Sequence, residues 1–141
     1  MNDLADLKVR FVAGFGPIVR DLEASRSFYL DTLGLELTAE GEPPNYYHSE
    51  AVDGVRHFAL WSLEQAAQSC FGVGDWPEEF PVPQSWLEFD VEDIYSATEV
   101  LKQRDYSLLV EAREEPWGQT VTRLLSPEGI LVGLTLTPWL R

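Results

Sequence analysis

The sequence has one cysteine, few basic residues and no long apolar run, and each shortage excludes a class of protein. Cys70 is the only cysteine, so an internal disulfide is impossible and an oxidising compartment is not indicated. No apolar run approaches the roughly 20 residues that a membrane-spanning helix needs. The acidic N-terminus, Met1–Leu4, also lacks the basic-then-apolar layout of a signal peptide. We therefore predict a cytoplasmic protein that does not bind membranes.

Basic residues are scarce relative to acidic ones. Ten Lys and Arg against 24 Asp and Glu give a formal net charge of −14. A field of this sign repels nucleic acids and anionic lipids, and it attracts cations. We therefore exclude nucleic acid as a partner. We expect a small-molecule ligand to bind more readily if it carries a positive charge. An acidic surface that serves only solubility remains the alternative.

A degenerate internal repeat is the strongest organising feature of the chain. Val19–Leu22 (Val-Arg-Asp-Leu) is echoed by Val91–Ile94 (Val-Glu-Asp-Ile). Each copy follows a strand-like stretch and precedes apolar residues at helical spacing. Asp21 and Asp93 suit the N-cap position, where a short carboxylate accepts the free backbone N–H groups of the first turn. The repeat predicts two similar units.

Strand signals complete each unit as β-α-β-β-β. The predicted strands cover residues 8–19, 35–38, 46–48, 55–63, 85–91, 107–111, 120–125 and 130–137. Between the units, residues 64–84 contain three prolines and are interpreted as a short helix followed by a linker. We therefore predict one α+β domain over residues 1–141, made of two βαβββ modules at about 8–63 and 85–138.

Alternation along the strands assigns two faces to the predicted sheet. In residues 85–91, Leu87, Phe89 and Val91 form an apolar side that should pack against a helix. The opposite face carries tryptophans, carboxylates, a histidine and glycines, which is not typical of a solvent-exposed surface. We expect it to line a cup. Its members include Trp86, Glu88, Asp90, His57, Ala59, Trp61 and Gly133.

Three stretches resemble a known family. They are Val19–Leu35, with Phe28-Tyr29 and Leu33-Gly34-Leu35, then Phe89–Asp93, then Pro116–Gly118 followed by Ser126–Gly129. This pattern resembles the vicinal-oxygen-chelate superfamily of glyoxalase I, extradiol dioxygenases, fosfomycin-resistance enzymes and bleomycin-resistance proteins. The resemblance implies tandem βαβββ modules that form a curved, cup-shaped mixed sheet with helices on the convex face. It also implies a homodimer.

The resemblance further implies four metal-ligand positions, and none of them carries a metal-binding side chain. They fall on Gly14, Trp86, Gly133 and, on the fourth strand, near Ala59. None of these side chains can donate an electron pair to a divalent cation, so we predict no metal at these positions and no cofactor. His57, His48 and Glu88 are suitable types for a relocated site, but no sequence spacing brings them together.

Without a metal, the cup still offers an apolar pocket with a few polar groups. Aromatic side chains can stack on a flat ligand or contact a cation, carboxylates can supply counter-charge, and glycines can leave space. The predicted ligand-binding residues are Trp86, Glu88, Trp61, His57, Trp117, Tyr47, Asp90, Gly14 and Gly133, with Tyr46 and Tyr47 at the rim.

This combination resembles the bleomycin-resistance branch, whose acidic proteins sequester a cationic, aromatic antibiotic. The predicted function is therefore metal-free binding of a cationic or aromatic small molecule, with no catalytic residue. Two alternatives stay open. The chain could be a glyoxalase-like lyase or dioxygenase-type enzyme with relocated metal ligands, or the tryptophans could simply fill the cup or a dimer interface.

Overall fold

The computed structural model describes residues 7–141, which form one curved sheet of eight strands and three α-helices. The strands are β1 Val9–Val19, β2 Thr38–Glu40, β3 Tyr46–Ser49, β4 Phe58–Ser62, β5 Ser85–Val91, β6 Val110–Glu114, β7 Thr120–Leu125 and β8 Leu131–Leu136. The helices are α1 Leu22–Arg26, which continues as a π-helical turn over Ser27–Thr32, α2 Leu63–Phe71 and α3 Ile94–Gln103; a 3-10 turn covers Pro138–Leu140. Within residues 7–141, no helix combines the length and apolarity needed to cross a bilayer.

The strand order repeats the same arrangement in the two halves of the sheet. The order is β2-β3-β4-β1-β5-β8-β7-β6, with the two halves joined by antiparallel pairing of β1 and β5. In each half the first strand pairs in parallel with the last, β1 with β4 and β5 with β8. The fold prediction, an α+β protein with a curved mixed sheet of tandem βαβββ modules, is confirmed.

The two helices of the modules pack on the convex face, as the alternation predicts. Ile94 and Leu101 of α3 lie in one core cluster with Val91 and Leu134. Leu22, at the start of α1, packs against a second cluster built on β1, β3 and β4. Both helices begin at the predicted caps: Asp21 accepts a hydrogen bond from the N–H of Ala24, and Asp93 from those of Tyr95 and Ser96.

The linker helix α2 lies on the other side of the sheet and closes one end of the cup. Its Ala66 and Cys70 belong to the cluster that contains Trp61 and Trp86. Ser62 caps the helix by accepting a hydrogen bond from the N–H of Gln65 at 3.1 Å. The buried side chains of α2 are all small, which allows the helix to approach the tryptophans closely.

Strands β2 and β6 begin three residues later than predicted. Leu35, predicted to start the second strand, instead donates its N–H to the carbonyl of Tyr29 and so extends the end of the helix. After α3, Asp105 adopts a φ of 65° and Tyr106 bonds back to the carbonyl of Leu101. In both places the residues after a helix form hydrogen bonds back to its last turn, so their backbone groups are not available to the strand. The hydrophobic pattern of the sequence does not show this competition.

The cap of α3 gives a test of this arrangement. Replacing Asp93 with Ala removes an acceptor for two backbone N–H groups, so the free energy of unfolding should fall by about 1 kcal/mol. Asp93→Asn keeps a side-chain acceptor and serves as the matched control. Urea denaturation of the three proteins measures the difference. Equal loss in both variants would contradict a capping role.

Candidate functional site

The concave face of the sheet encloses a cavity of about 770 Å³. This volume lies within the range usual for small-molecule sites. Its walls combine buried tryptophans with a small number of charged and imidazole side chains. The lining residues include Trp61, Trp86, Trp117, Trp139, Tyr46, His48, His57, Glu88, Gln119 and Arg123.

Trp86 fills the centre of the cup. Two of its ring carbons lie 2.7 and 2.8 Å from the point that a Cβ on Gly14 would occupy. Its indole Nε1 donates a hydrogen bond to the carbonyl of Ala59 at 3.2 Å. The ring also packs edge-on against Trp61, with 6.1 Å between centroids. Because real Cβ atoms do not approach other atoms so closely, the Trp86 indole can occupy this position only when residue 14 is a glycine.

Strand pairing relates the four positions at which the resemblance implies metal ligands. Gly14 and Trp86 each lie seven residues before a capping aspartate. Gly133 pairs with Glu88, which lies five residues before Asp93. In the other half, Phe15 pairs with Phe58, so Ala59 lies beside Gly16, which is five residues before Asp21.

Ala59 is therefore the counterpart of Gly133 in the other half of the sheet. Gly14, Ala59, Trp86 and Gly133 offer no donor atom; the Trp86 indole fills the space beside Gly14 and bonds to the Ala59 carbonyl, and the Glu88 side chain fills the space beside Gly133. The residues of this chain do not fit the metal centre that the family implies.

A buried ion pair forms the polar floor of the cup. Arg123 is 1% exposed and donates from Nη1 to Glu88 Oε2 at 2.9 Å. Gln119 donates from Nε2 to Glu88 Oε1 at 2.7 Å. The Arg123 guanidinium also lies 4.7 Å from the centre of the Trp61 ring. Both oxygens of Glu88 thus have partners, and its charge is compensated within the protein.

Gly133 serves this ion pair. A Cβ at Gly133 would lie 3.0 Å from Glu88 Cγ, so the glycine leaves room for the carboxylate side chain. Arg123 and Gln119 were not predicted from the sequence. Alternation along β7 places Arg123 on the cup face, where a lone arginine among apolar residues is the signal, and Gln119 directly precedes that strand.

Two histidines and a glutamate meet at the edge of the cup. Glu50 Oε2 lies 2.9 Å from His48 Nδ1 and 2.5 Å from His57 Nδ1. The other ring nitrogens have partners too: His48 Nε2 lies 3.0 Å from Glu40 Oε2, and His57 Nε2 lies 2.8 Å from the Tyr46 hydroxyl. We call His48, Glu50 and His57 the edge cluster.

The hydrogen bonds of the edge cluster shift the pKa values of His48 and Glu50. Burial lowers the pKa of His48, but hydrogen bonds to Glu40 and Glu50 outweigh it, and the net pKa is raised. Burial raises the pKa of Glu50, but hydrogen bonds from both histidines outweigh that effect and lower it. The pKa of Tyr46 is raised, mainly by burial and then by the charge of Glu88. The cluster therefore favours a charged imidazole beside a carboxylate.

The structure places most of the predicted ligand-binding residues around the cavity. Six of the nine line it: Trp86, Glu88, Trp61, His57, Trp117 and Gly14. Gly133 lies beneath Glu88 instead. Whether the six bind a ligand stays a prediction.

Tyr47 and Asp90 do not belong to the cup, which corrects two of the predicted positions. Tyr47 packs in the convex core with Val19 and Leu60, because alternation on β3 turns Tyr46 and His48 inward. Asp90 is fully buried and accepts hydrogen bonds from Thr137 and Arg141. Its carboxylate holds the C-terminal segment and is not available to a ligand.

The relocated donor set considered from sequence is also changed. His48 and His57 do come together, with 5.4 Å between ring centroids. Their carboxylate partner is Glu50, whereas Glu88 is bonded to Arg123. Glu50 follows β3 and faces His57 across the loop to β4, and the sequence could not predict this because its pattern does not define the register of β3 against β4.

The buried ion pair gives a second test. Glu88→Leu leaves the Arg123 guanidinium buried without a carboxylate, so the free energy of unfolding should fall by about 3–5 kcal/mol. The double variant Glu88→Leu/Arg123→Met removes the unpaired charge and should recover most of the loss. Denaturant unfolding measures both. A double variant no more stable than Glu88→Leu would contradict the role assigned to the pair.

Comparison with known proteins gives the same fold. A glyoxalase/bleomycin resistance protein/dioxygenase superfamily member from Vibrio splendidus 12B01 is 19% identical, with a TM-score of 0.57 over 92% of this chain and 100% of that one. Methylmalonyl-CoA epimerase from Mycobacterium tuberculosis is 22% identical, with a TM-score of 0.56 over 94% and 91%. A Streptomyces coelicolor methylmalonyl-CoA epimerase variant in complex with 2-nitronate-propionyl-CoA is 19% identical, with a TM-score of 0.56 over 93% and 99%.

No curated protein sequence matches the chain. At these identities the solved structures establish the fold alone. A family model, however, matches residues 15–134, which include both halves of the sheet. The chain therefore belongs to the Glyoxalase/Bleomycin resistance protein/Dioxygenase superfamily.

Proposed function

We propose that this chain binds a flat, cationic aromatic small molecule in the cup and holds it by aromatic walls, without a metal at the family's centre. The observation that carries the proposal is the position of Trp86, whose indole packs against Gly14 and bonds to the carbonyl of Ala59, at two of the other positions of the family's metal centre. A family member that keeps the cup but closes the metal centre retains the means to bind a ligand and loses the usual means to activate it.

The aromatic walls suit a flat ligand. Trp61 and Trp86 are buried at 8% and 4% exposure and form the inner wall. Trp117 and Trp139 are 58% and 59% exposed at the mouth of the same cavity, where a ligand can cover them. Trp117 is held in place because its Nε1 donates to Gln119 Oε1 at 2.7 Å. Such rings can stack on a bound aromatic group at little entropic cost.

The charges around the cavity favour a cation. Two arginines against four glutamates give 2 − 4 = −2 among the lining residues, and a charged His48 makes this −2 + 1 = −1, within a chain of net charge −14. Arg123 and Arg113 are each paired with a glutamate, so neither is a free positive charge for an anionic ligand. The glutamates and arginines of the lining are Glu40, Glu88, Glu114, Glu115, Arg113 and Arg123.

A second candidate function is a lyase- or dioxygenase-type enzyme with relocated metal ligands. The observation in its favour is the edge cluster, which brings two imidazoles and a carboxylate together. The two candidates differ in their dependence on metal, because only the enzyme would lose its function to a chelator.

For either candidate we also propose a homodimer, since Val12, Phe15 and Trp139 expose apolar surface.

Titration with ethidium tests the proposed function, because this dye is flat, cationic and without metal-binding groups. Its fluorescence anisotropy should report saturable 1:1 binding, and Trp117→Ala should weaken the affinity by about tenfold through loss of one stacking surface. Tyr95→Ala is the matched control, since Tyr95 is an exposed aromatic residue of α3, away from the cavity.

Phenanthridine, the uncharged ring system of the same dye, tests the charge argument. It should bind more weakly than ethidium, with a difference that shrinks as salt is added. Equal affinity of Trp117→Ala and Tyr95→Ala for ethidium would contradict binding in the cup. Tighter binding of the uncharged ring would contradict the preference for a cation.

A further inference from the structure

We propose that the edge cluster, His48, Glu50 and His57, binds one divalent transition metal ion, such as Zn²⁺, outside the four positions of the family's metal centre. This goes beyond the proposed function, which requires no metal. The three residues each offer one ligand atom, and these atoms all lie within 4.8 Å of one another. Two imidazoles and a carboxylate form a donor set that suits Zn²⁺, Ni²⁺ or Fe²⁺.

The geometry needs only small side-chain movements to accept an ion. With metal–ligand bonds of roughly 2.0–2.1 Å, the donors of a tetrahedral site lie roughly 3.4 Å apart. Glu50 Oε2 already lies 2.9 and 2.5 Å from the two Nδ1 atoms. The carboxylate therefore has to move outward slightly so that the ion can lie between it and the rings. Glu50 can do so because its side chain is 50% exposed.

The sheet holds the donors in place. His48 lies in β3, Glu50 directly follows that strand, and His57 directly precedes β4, so the antiparallel pairing of Ser49 with Phe58 brings the three donors together. The two imidazole rings lie nearly parallel, with an interplanar angle of 26°. The ring of Tyr46 stacks on His48 at 5.5 Å and limits its rotation.

Outer partners orient both histidines toward the ion. Glu40 accepts a hydrogen bond from His48 Nε2, and the Tyr46 hydroxyl is hydrogen-bonded to His57 Nε2. Metal-binding histidines usually have such a partner on the second nitrogen, because it selects the tautomer that leaves the other nitrogen free to coordinate. If Nε2 of His48 carries the proton bonded to Glu40, then Nδ1 faces the Glu50 carboxylate and needs a proton or a metal between them.

The surroundings leave room for a fourth ligand. His48 and His57 line the cup, and His57 and Glu50 also line a neighbouring surface groove. An ion held by three protein ligands between these two spaces keeps an open position for water or for an oxygen of a bound molecule. The two glutamates, Glu40 and Glu50, supply negative charge that offsets the charge of the ion.

The test uses the full chain, freed of metal by dialysis against a chelator that is then removed. Calorimetric titration with Zn²⁺ should show one site per chain, and Co²⁺ should give visible absorption bands typical of tetrahedral coordination. His48→Ala and His57→Ala should each weaken Zn²⁺ binding about 100-fold or more, since loss of an outer partner alone costs about 10–100-fold. Tyr46→Phe should weaken it by about tenfold.

Glu50→Gln and Glu78→Gln form a matched pair, because each removes one negative charge and Glu78 is exposed outside the cavity. Only Glu50→Gln should weaken Zn²⁺ binding strongly. Circular dichroism should show all variants folded, and His48→Gln provides a second variant of similar polarity at that position.

No saturable 1:1 binding of Zn²⁺ by the wild-type protein would overturn the proposal. Binding that survives in both His48→Ala and His57→Ala would overturn it as well. Ethidium separates this proposal from the proposed function: Glu50→Gln, which changes a residue outside the lining of the cup, should still bind the dye, and Trp117→Ala should still bind Zn²⁺. Each proposal can therefore fail while the other stands.

Discussion

The Trp86 indole lies across Gly14 and bonds to the carbonyl of Ala59, and the character of the cup depends on this contact. It occupies the space that Gly14 leaves, joins β5 to β4 across β1, and supports the Trp61 ring. A smaller side chain at position 86 would leave a cavity, and any side chain at Gly14 would collide with the indole. The absence of metal ligands at Gly14 and Trp86 and the presence of an aromatic wall are therefore two consequences of one packing arrangement.

The polar groups around that wall fall into two systems with different roles. Glu88 and Arg123 compensate each other in the floor, which allows two charges to be buried without a ligand. The edge cluster, by contrast, is partly exposed and concentrates imidazole and carboxylate groups where the cup meets the surface. We propose that the floor stabilises the cup, that the edge cluster binds a cation, and that the tryptophans bind the organic ligand.

The sequence was sufficient to predict the fold, the caps at Asp21 and Asp93, and the faces of β5 and β8, because periodicity and N-cap chemistry are local. It was insufficient where long-range register matters. Tyr47 was placed in the cup because β3 was too short to show which tyrosine points inward. Asp90 was interpreted as ligand-binding because its partner Arg141 lies 51 residues away in the chain. Glu50 and Arg123 were missed for the same reason: only strand pairing brings them to their partners.

The most direct test of the central claim, that aromatic walls and not a metal hold the ligand, is the dissociation constant of ethidium before and after exhaustive removal of metal with a chelator. Because Trp86 excludes an ion from the centre of the cup, we predict the same constant, within about twofold, in both preparations. Loss of dye binding after chelation, with recovery on addition of Zn²⁺ or Ni²⁺, would contradict the account.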